Sequence, residues 1–141
     1  TGAAYIFSLQ NDKWIQRDKL TALDGDMDDQ FGFSVAMSPG LIAVGADGQD
    51  EGKEDAGAVY VYTPDTSGKW TLAQKLQASE IRANAYFGGR LAASDDGTLV
   101  VTAPNDNSGT GSAYVFSCTA AGVCTETDKL RAADGEQGDM F

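Results

Sequence analysis

The chain repeats itself. Phe31-Gly32 returns as Phe87-Gly88, and Phe141 opens a third copy. Gly57-Ala58-Val59-Tyr60-Val61-Tyr62 is matched by Gly2-Ala3-Ala4-Tyr5-Ile6-Phe7 before it and by Gly111-Ser112-Ala113-Tyr114-Val115-Phe116 after it. Trp14 and Trp70 share one slot, which Cys124 takes in the third copy. Lys19-Leu20, Lys75-Leu76 and Lys129-Leu130 then follow at one offset. A fixed period of about 55 residues points to a solenoid, propeller or array, in which each unit buries its apolar faces against its neighbours.

Short alternating or apolar runs separated by Gly, Asp, Asn and Pro predict strands. They fall at residues 2–8 and 14–20, then at 31–38, 41–46, 57–63 and 70–78, and again at 87–94, 98–103, 111–118 and 124–132. No segment sustains a helical period, so the chain is all-β. Leu41 to Val44 and Ala58 to Tyr62 are apolar on both faces, whereas a sheet with one wet face would alternate. Four-stranded units stacked face to face supply cover on both sides, as in a β-propeller. Residues 1–30 are then the second half of a blade, two outer strands and a loop. Residues 31–86 and 87–140 are complete blades, and residue 141 begins another. Propellers close with about 4–8 blades, so about two and a half blades leave open faces. The expectation is an excerpt of a larger propeller; the alternative is several chains completing one another. Tyr60, Tyr62, Tyr114, Phe7 and Phe116 are expected in the inter-blade core, since they recur at equivalent positions. Trp14 and Trp70 lie on outer strands, packed under a loop or exposed.

Composition narrows the function. A hydrophobic content of 42% supports a core. A net charge of -11 argues against nucleic acid and anionic membrane surfaces, because Lys and Arg are too few to neutralise phosphates. No apolar run approaches the roughly 20 residues of a membrane helix. Thr1 is not an initiator Met and no signal peptide is visible, which suggests a processed or excerpted chain. The chain has His 0, which excludes His-based catalysis and His metal sites. No nucleophile–base pair or phosphate loop is recognisable, and the expectation is that the chain is not an enzyme. Cys118 and Cys124 flank a predicted hairpin loop. They are either a metal or redox pair or a disulfide stapling the hairpin; two thiols alone make a poor zinc site, and a disulfide implies an oxidising setting.

Phe31-Gly32 with Val44-Gly45-Ala46, and Phe87-Gly88 with Thr102-Ala103-Pro104, resemble FG-GAP repeats, and the Gly-Ala-Val-Tyr-Val-Tyr and Trp…Lys-Leu elements extend the likeness over essentially the whole chain. Such repeats build the integrin α-subunit propeller, bacterial and algal surface proteins, and a secreted phospholipase that cleaves glycosylphosphatidylinositol anchors. The resemblance implies an extracellular or cell-surface binding or adhesion module. Its ligand would be a protein or glycan held by loops on one face, with no cofactor. Candidate ligand-binding residues are Asp47, Gln49, Asp50, Glu51 and Asp55 in one loop and Asn105, Asp106 and Asn107 in the equivalent loop.

The calcium loop of integrin blades is missing. The connection is Ser38-Pro39-Gly40 in one unit and Ser94 to Thr98 in the other, too short or too turn-like to ligate a cation. Two other acidic clusters are calcium candidates: Asp47, Asp50 and Asp55, or Asp24, Asp26 and Asp28. The plainer alternative is solvated turns in which Asp accepts local backbone N–H groups. Besides the binding module, two other functions fit the pattern. One is a structural protein whose copies assemble into a filament or surface layer. The other is an accessory propeller of a larger secreted enzyme.

Overall fold

The computed structural model describes residues 2–80 and 82–141. The first sheet pairs β1 (Ala4–Gln10) with β2 (Lys13–Leu20). The second contains β3 (Ser34–Ser38), β4 (Leu41–Ala46), β5 (Ala58–Pro64) and β6 (Trp70–Leu76), hydrogen-bonded in chain order. The third contains β7 (Leu91–Ala93), β8 (Thr98–Ala103), β9 (Ser112–Cys118) and β10 (Cys124–Leu130), also in chain order. All these pairings are antiparallel. The second and third sheets are four-stranded blades of a partial β-propeller, and the first is an outer pair of the same kind.

The repeat extends to an irregularity. Each outer pair carries a register shift that leaves one residue unopposed: Arg17 in β2, Ala73 in β6 and Thr127 in β10. Each stands two residues before the repeated Lys-Leu. A bulge raises the local twist, so the outer edges of all three sheets turn alike.

Side-chain alternation splits β4 and β5 between two cores. Ile42, Val44, Ala46, Ala58, Tyr60 and Tyr62 pack with Phe31 and Leu20 toward the first sheet. Leu41, Ala43, Val59 and Val61 pack with Leu76, Phe87, Leu99, Val101, Tyr114 and Phe116 toward the third. Both faces of the middle strands are therefore dry, as their unbroken apolar sequence predicts. Leu20 and Leu76, at one repeat position, are 4% and 3% exposed, but Leu130 is 47% exposed. Phe7 does not join the core as expected. It is 50% exposed on a face of β1 that no other described strand covers, whereas its equivalents Tyr62 and Phe116 are buried. Trp14 is likewise exposed, and Trp70 packs at the edge of the first inter-blade core.

The Phe-Gly pairs are not strand, contrary to the predicted starts at residues 31 and 87. They lie in the link that crosses from one blade to the next. The Phe87 N–H donates to the Ala56 carbonyl at 2.9 Å, and Phe87 forms a parallel bridge with Gly57. The Phe87 ring meets Tyr114 and Phe116 edge-on, with centroids 5.3 and 6.1 Å apart. Phe31 does the same with Tyr60 and Tyr62. Gly57 (φ +85) has no room for a Cβ, which would collide with the Phe87 carbonyl; at Gly88 (φ +97) it would press on the Ala58 carbonyl. Both positions need glycine for conformation and for close approach.

The disulfide reading holds: Cys118 and Cys124 face each other across the β9–β10 hairpin and are bonded. The hairpin is also clipped to the preceding blade. Gln74 in β6 accepts from the Cys124 N–H at 2.7 Å and donates to the Cys124 carbonyl at 3.2 Å. One helical turn, α1 (Asp106–Gly109), was not expected, and Asn107 and Ser108 within it have left-handed backbones.

Gly57→Ala should cost about 3 kcal/mol, combining left-handed strain with overpacking against the Phe87 backbone. Gly40→Ala is the control: Gly40 has positive φ but nothing within 4 Å of a Cβ, and should cost only about 1 kcal/mol. Equilibrium urea unfolding of the two variants checks the difference.

Candidate functional site

The loops at one end of the blades come together around two lysines. Lys75 lies 5.2 Å from the centre of the Tyr60 ring and bonds Asp24 and Glu51, each at 2.6 Å. Lys129 lies 4.7 Å from the Tyr114 ring and bonds Asp106 at 2.7 Å and Glu80 at 2.9 Å. The arrangement is the same twice. The lysine and its tyrosine belong to one blade, one acid comes from that blade's own loop, and the other comes from the link before it. Tyr60 donates to Asp24 at 2.9 Å, and Tyr114 donates to Asp106 at 3.2 Å.

This network sets the charge states. Burial alone would raise the Asp24 carboxyl, but hydrogen bonds from Lys75 and Tyr60 outweigh it and hold the group below its ordinary range. Asp106 follows the same logic: burial opposes the anion, Lys129 and Tyr114 favour it, and the pKa is lowered. Hydrogen bonds from Lys129 and Arg82 lower Glu80. Burial works against both charged lysines, yet their acid partners push each above its ordinary value. Burial raises the Tyr60 hydroxyl to about 12.

The candidate residues divide by burial. Asp47, Gln49 and Asp106 are 6%, 7% and 1% exposed, so they shape their loops from within. Asp106 accepts from its neighbour's N–H, from Tyr114, from Lys129 and, at 3.2 Å, from Arg82. Gln49 accepts from the Glu51 N–H, and Asp50 accepts from the Asp55 N–H. Asp47 is different. Its Oδ1 is buried without a hydrogen-bond partner, and it occupies the position Pro104 takes in the next repeat. Burial pushes its carboxyl up, against the opposing pull of backbone N–H groups and Arg90. Among the described residues, no three carboxylates converge in a group able to hold a metal ion. In the other acidic stretch, Asp24 is tied to Lys75, and the buried Asp29 accepts from the Asp26 N–H.

Asn105 and Asn107 lie elsewhere on this end, on the wall of an open groove of about 550 Å³. Residues 82–84, 105, 107–109 and 137–138 line it, together with Lys53. Lys53, Arg82, Asn84 and Gln137 were not singled out in the sequence. The lysine columns had a legible signal: an acid stands five residues after each repeated lysine, as Asp24, Glu80 and Asp134. The groove had none, since its walls come from four separate segments.

Four-stranded antiparallel blades, a repeated Phe-Gly cross-over and loops gathered at one end define a β-propeller module of integrin type. The FG-GAP repeat family model matches residues 14–62 and 70–116, more than half of the chain. The chain belongs to the FG-GAP repeat family. Comparison with the curated proteins found no match.

Two substitutions should move stability in opposite directions. Asp106→Asn leaves Lys129 and Arg82 facing a neutral buried partner and should cost about 3 kcal/mol. Asp47→Asn removes a buried carboxylate with one oxygen unpartnered and should gain about 1 kcal/mol at pH 7. A raised carboxyl destabilises the fold only when ionised, so that gain should shrink as the pH falls toward about 4. Thermal melts at both pH values check the pair. Asp24, Glu80 and Asp106 are lowered, so their stabilisation is complete above the ordinary carboxylate pKa of about 4. It is lost as pH falls through their folded values, and the melting temperature should drop from about pH 4 downward.

Proposed function

We propose that this chain is a non-catalytic binding module of an extracellular FG-GAP propeller, and that its ligand is held at the loop end of the blades. One observation carries the reading: a polar groove of about 550 Å³ sits where loops from two successive blades meet the links that follow them. Its rim is anchored from below by buried Asp106 and its cations. The disulfide and the family support an oxidising, extracellular setting, and no described helix is long and apolar enough to cross a membrane.

A second reading rests on the exposed side of β1 and β2. Tyr5, Phe7, Leu9 and Trp14 are each at least half exposed there. Beside them a partly apolar groove of about 330 Å³ runs between Phe7, Val35 and Met37. Solvent-exposed apolar area of this kind marks contact surfaces, and adjoining blades or further copies of the chain would cover it in a structural assembly.

The two readings separate in one experiment. On the binding reading, Asn105→Lys and Lys53→Glu keep the melting temperature but abolish retention of cells or extracellular matrix on the immobilised chain. On the assembly reading, those variants behave as the parent, and Phe7→Ser removes concentration-dependent polymers seen by light scattering. Retention unchanged in both loop variants would sink the binding reading.

A further inference from the structure

The groove has an unusual lining. The chain has asparagine at positions 11, 84, 105 and 107, and three of these four lie on its wall. Gln137 adds a fourth amide. Left-handed backbone accounts for asparagine at positions 84 (φ 56) and 107 (φ 54). It does not account for Asn105 (φ -96) or for Gln137. Among the described residues, none of these four amide side chains has a protein hydrogen-bond partner. Each therefore presents donors and an acceptor to whatever enters. The backbone carrying them is tied down: the Asn84 N–H donates to the Glu54 carbonyl at 2.7 Å and the Asn105 N–H to the Ala85 carbonyl at 3.3 Å.

The charge is equally selective. The chain has Asp+Glu 21 against Lys+Arg 10, yet no carboxylate lines the groove, while Lys53 and Arg82 do. Lys53 makes no ion pair with any described residue. Arg82 spends its Nε on Asp106 and its Nη2 on Glu80, which leaves Nη1 for a further acceptor. The lining has no aromatic ring and no apolar side chain larger than that of Ala83.

Free amides matched to hydroxyls, with an unpaired ammonium beside them, describe a seat for a sugar that carries a carboxylate. We propose that this groove binds an acidic glycan, its hydroxyls held by Asn105 and Gln137 and its carboxylate by Lys53. This rests on the binding-module reading and names the ligand class of that same site.

The test is calorimetric titration of the 141-residue chain with oligogalacturonate and with a neutral galacto-oligosaccharide of the same length. Oligogalacturonate should bind, more weakly as salt rises. Lys53→Gln should weaken it about tenfold, the usual loss for one hydrogen bond to a charged group. Asn105→Ala and Gln137→Ala should each weaken it several-fold, and all three variants should melt with the parent. Equal affinity for the neutral sugar, or affinity indifferent to Lys53 and Asn105, would overturn the proposal. Absence of binding to either sugar, with loop-dependent retention on matrix intact, would overturn the glycan and leave the binding module standing. Loss of both would remove the two together.

Discussion

The fold depends on how closely one blade's backbone can approach the next. Phe87 occupies that junction: its N–H is bonded to Ala56 of the preceding blade, and its ring lies on Tyr114 and Phe116 of its own. Backbone and side chain of one residue thus belong to different interfaces. The arrangement requires glycine on both sides, because a Cβ at Gly57 or Gly88 meets a carbonyl oxygen of the facing chain. Once the backbones are in contact, Val59, Val61 and Leu76 are brought against Leu99 and Val101, and the inter-blade core closes. Burial is non-directional and cannot choose this register by itself. The Gly57–Phe87 bridge and the Phe87–Ala56 hydrogen bond are directional, since they pair particular residues across the two blades.

The lysine columns act within each blade and on the link before it. Exposed ion pairs contribute little, and Glu51 and Glu80 are more than half exposed. Asp106 is not: its side chain is fully buried, and a carboxylate there is tolerable only with Lys129 and Arg82 in place. Lys129 stands in the same blade as Asp106, so the pair fixes that blade's own loop, while Arg82 and Glu80 tie it to the link before. The network therefore fixes each loop and the link before it, while the apolar faces provide most of the driving force. Stacking of each lysine on a tyrosine adds a cation–π contact within the same blade.

Strands and stacking were legible because they rest on periodicity. Two-sided apolar runs such as residues 41–44 require cover on both faces, and a 55-residue period supplies it. Loop interiors were not legible. Asp47, Gln49 and Asp106 sit among glycines and acids, a setting that ordinarily means solvated turns. Their burial arises from the neighbouring link folding over them, a contact between residues far apart in the chain. Phe7 fails for the opposite reason: its repeat position predicts a core residue, but burial is a property of the neighbour that packs on it. The Phe-Gly pairs stand at the start of apolar runs, which predicts strand there. Glycine at positive φ overrides that preference.

Rigidity links these observations to recognition. A groove lined by free amides would lose much of its affinity if the loops had to order on binding, since each immobilised side chain or loop residue costs free energy. Here the loops are ordered by the fold itself. Asp106 fixes the turn that carries Asn105 and Asn107, and Arg82 joins that turn to the link bearing Asn84. On the proposed reading the buried acid serves binding without touching a ligand, by holding its exposed neighbours in place. Two carboxylates close in sequence to the lining, Asp106 and Glu80, are bonded to cations. Their charge is spent on the fold, and the field that an incoming anion meets is left to Lys53 and the outer edge of Arg82.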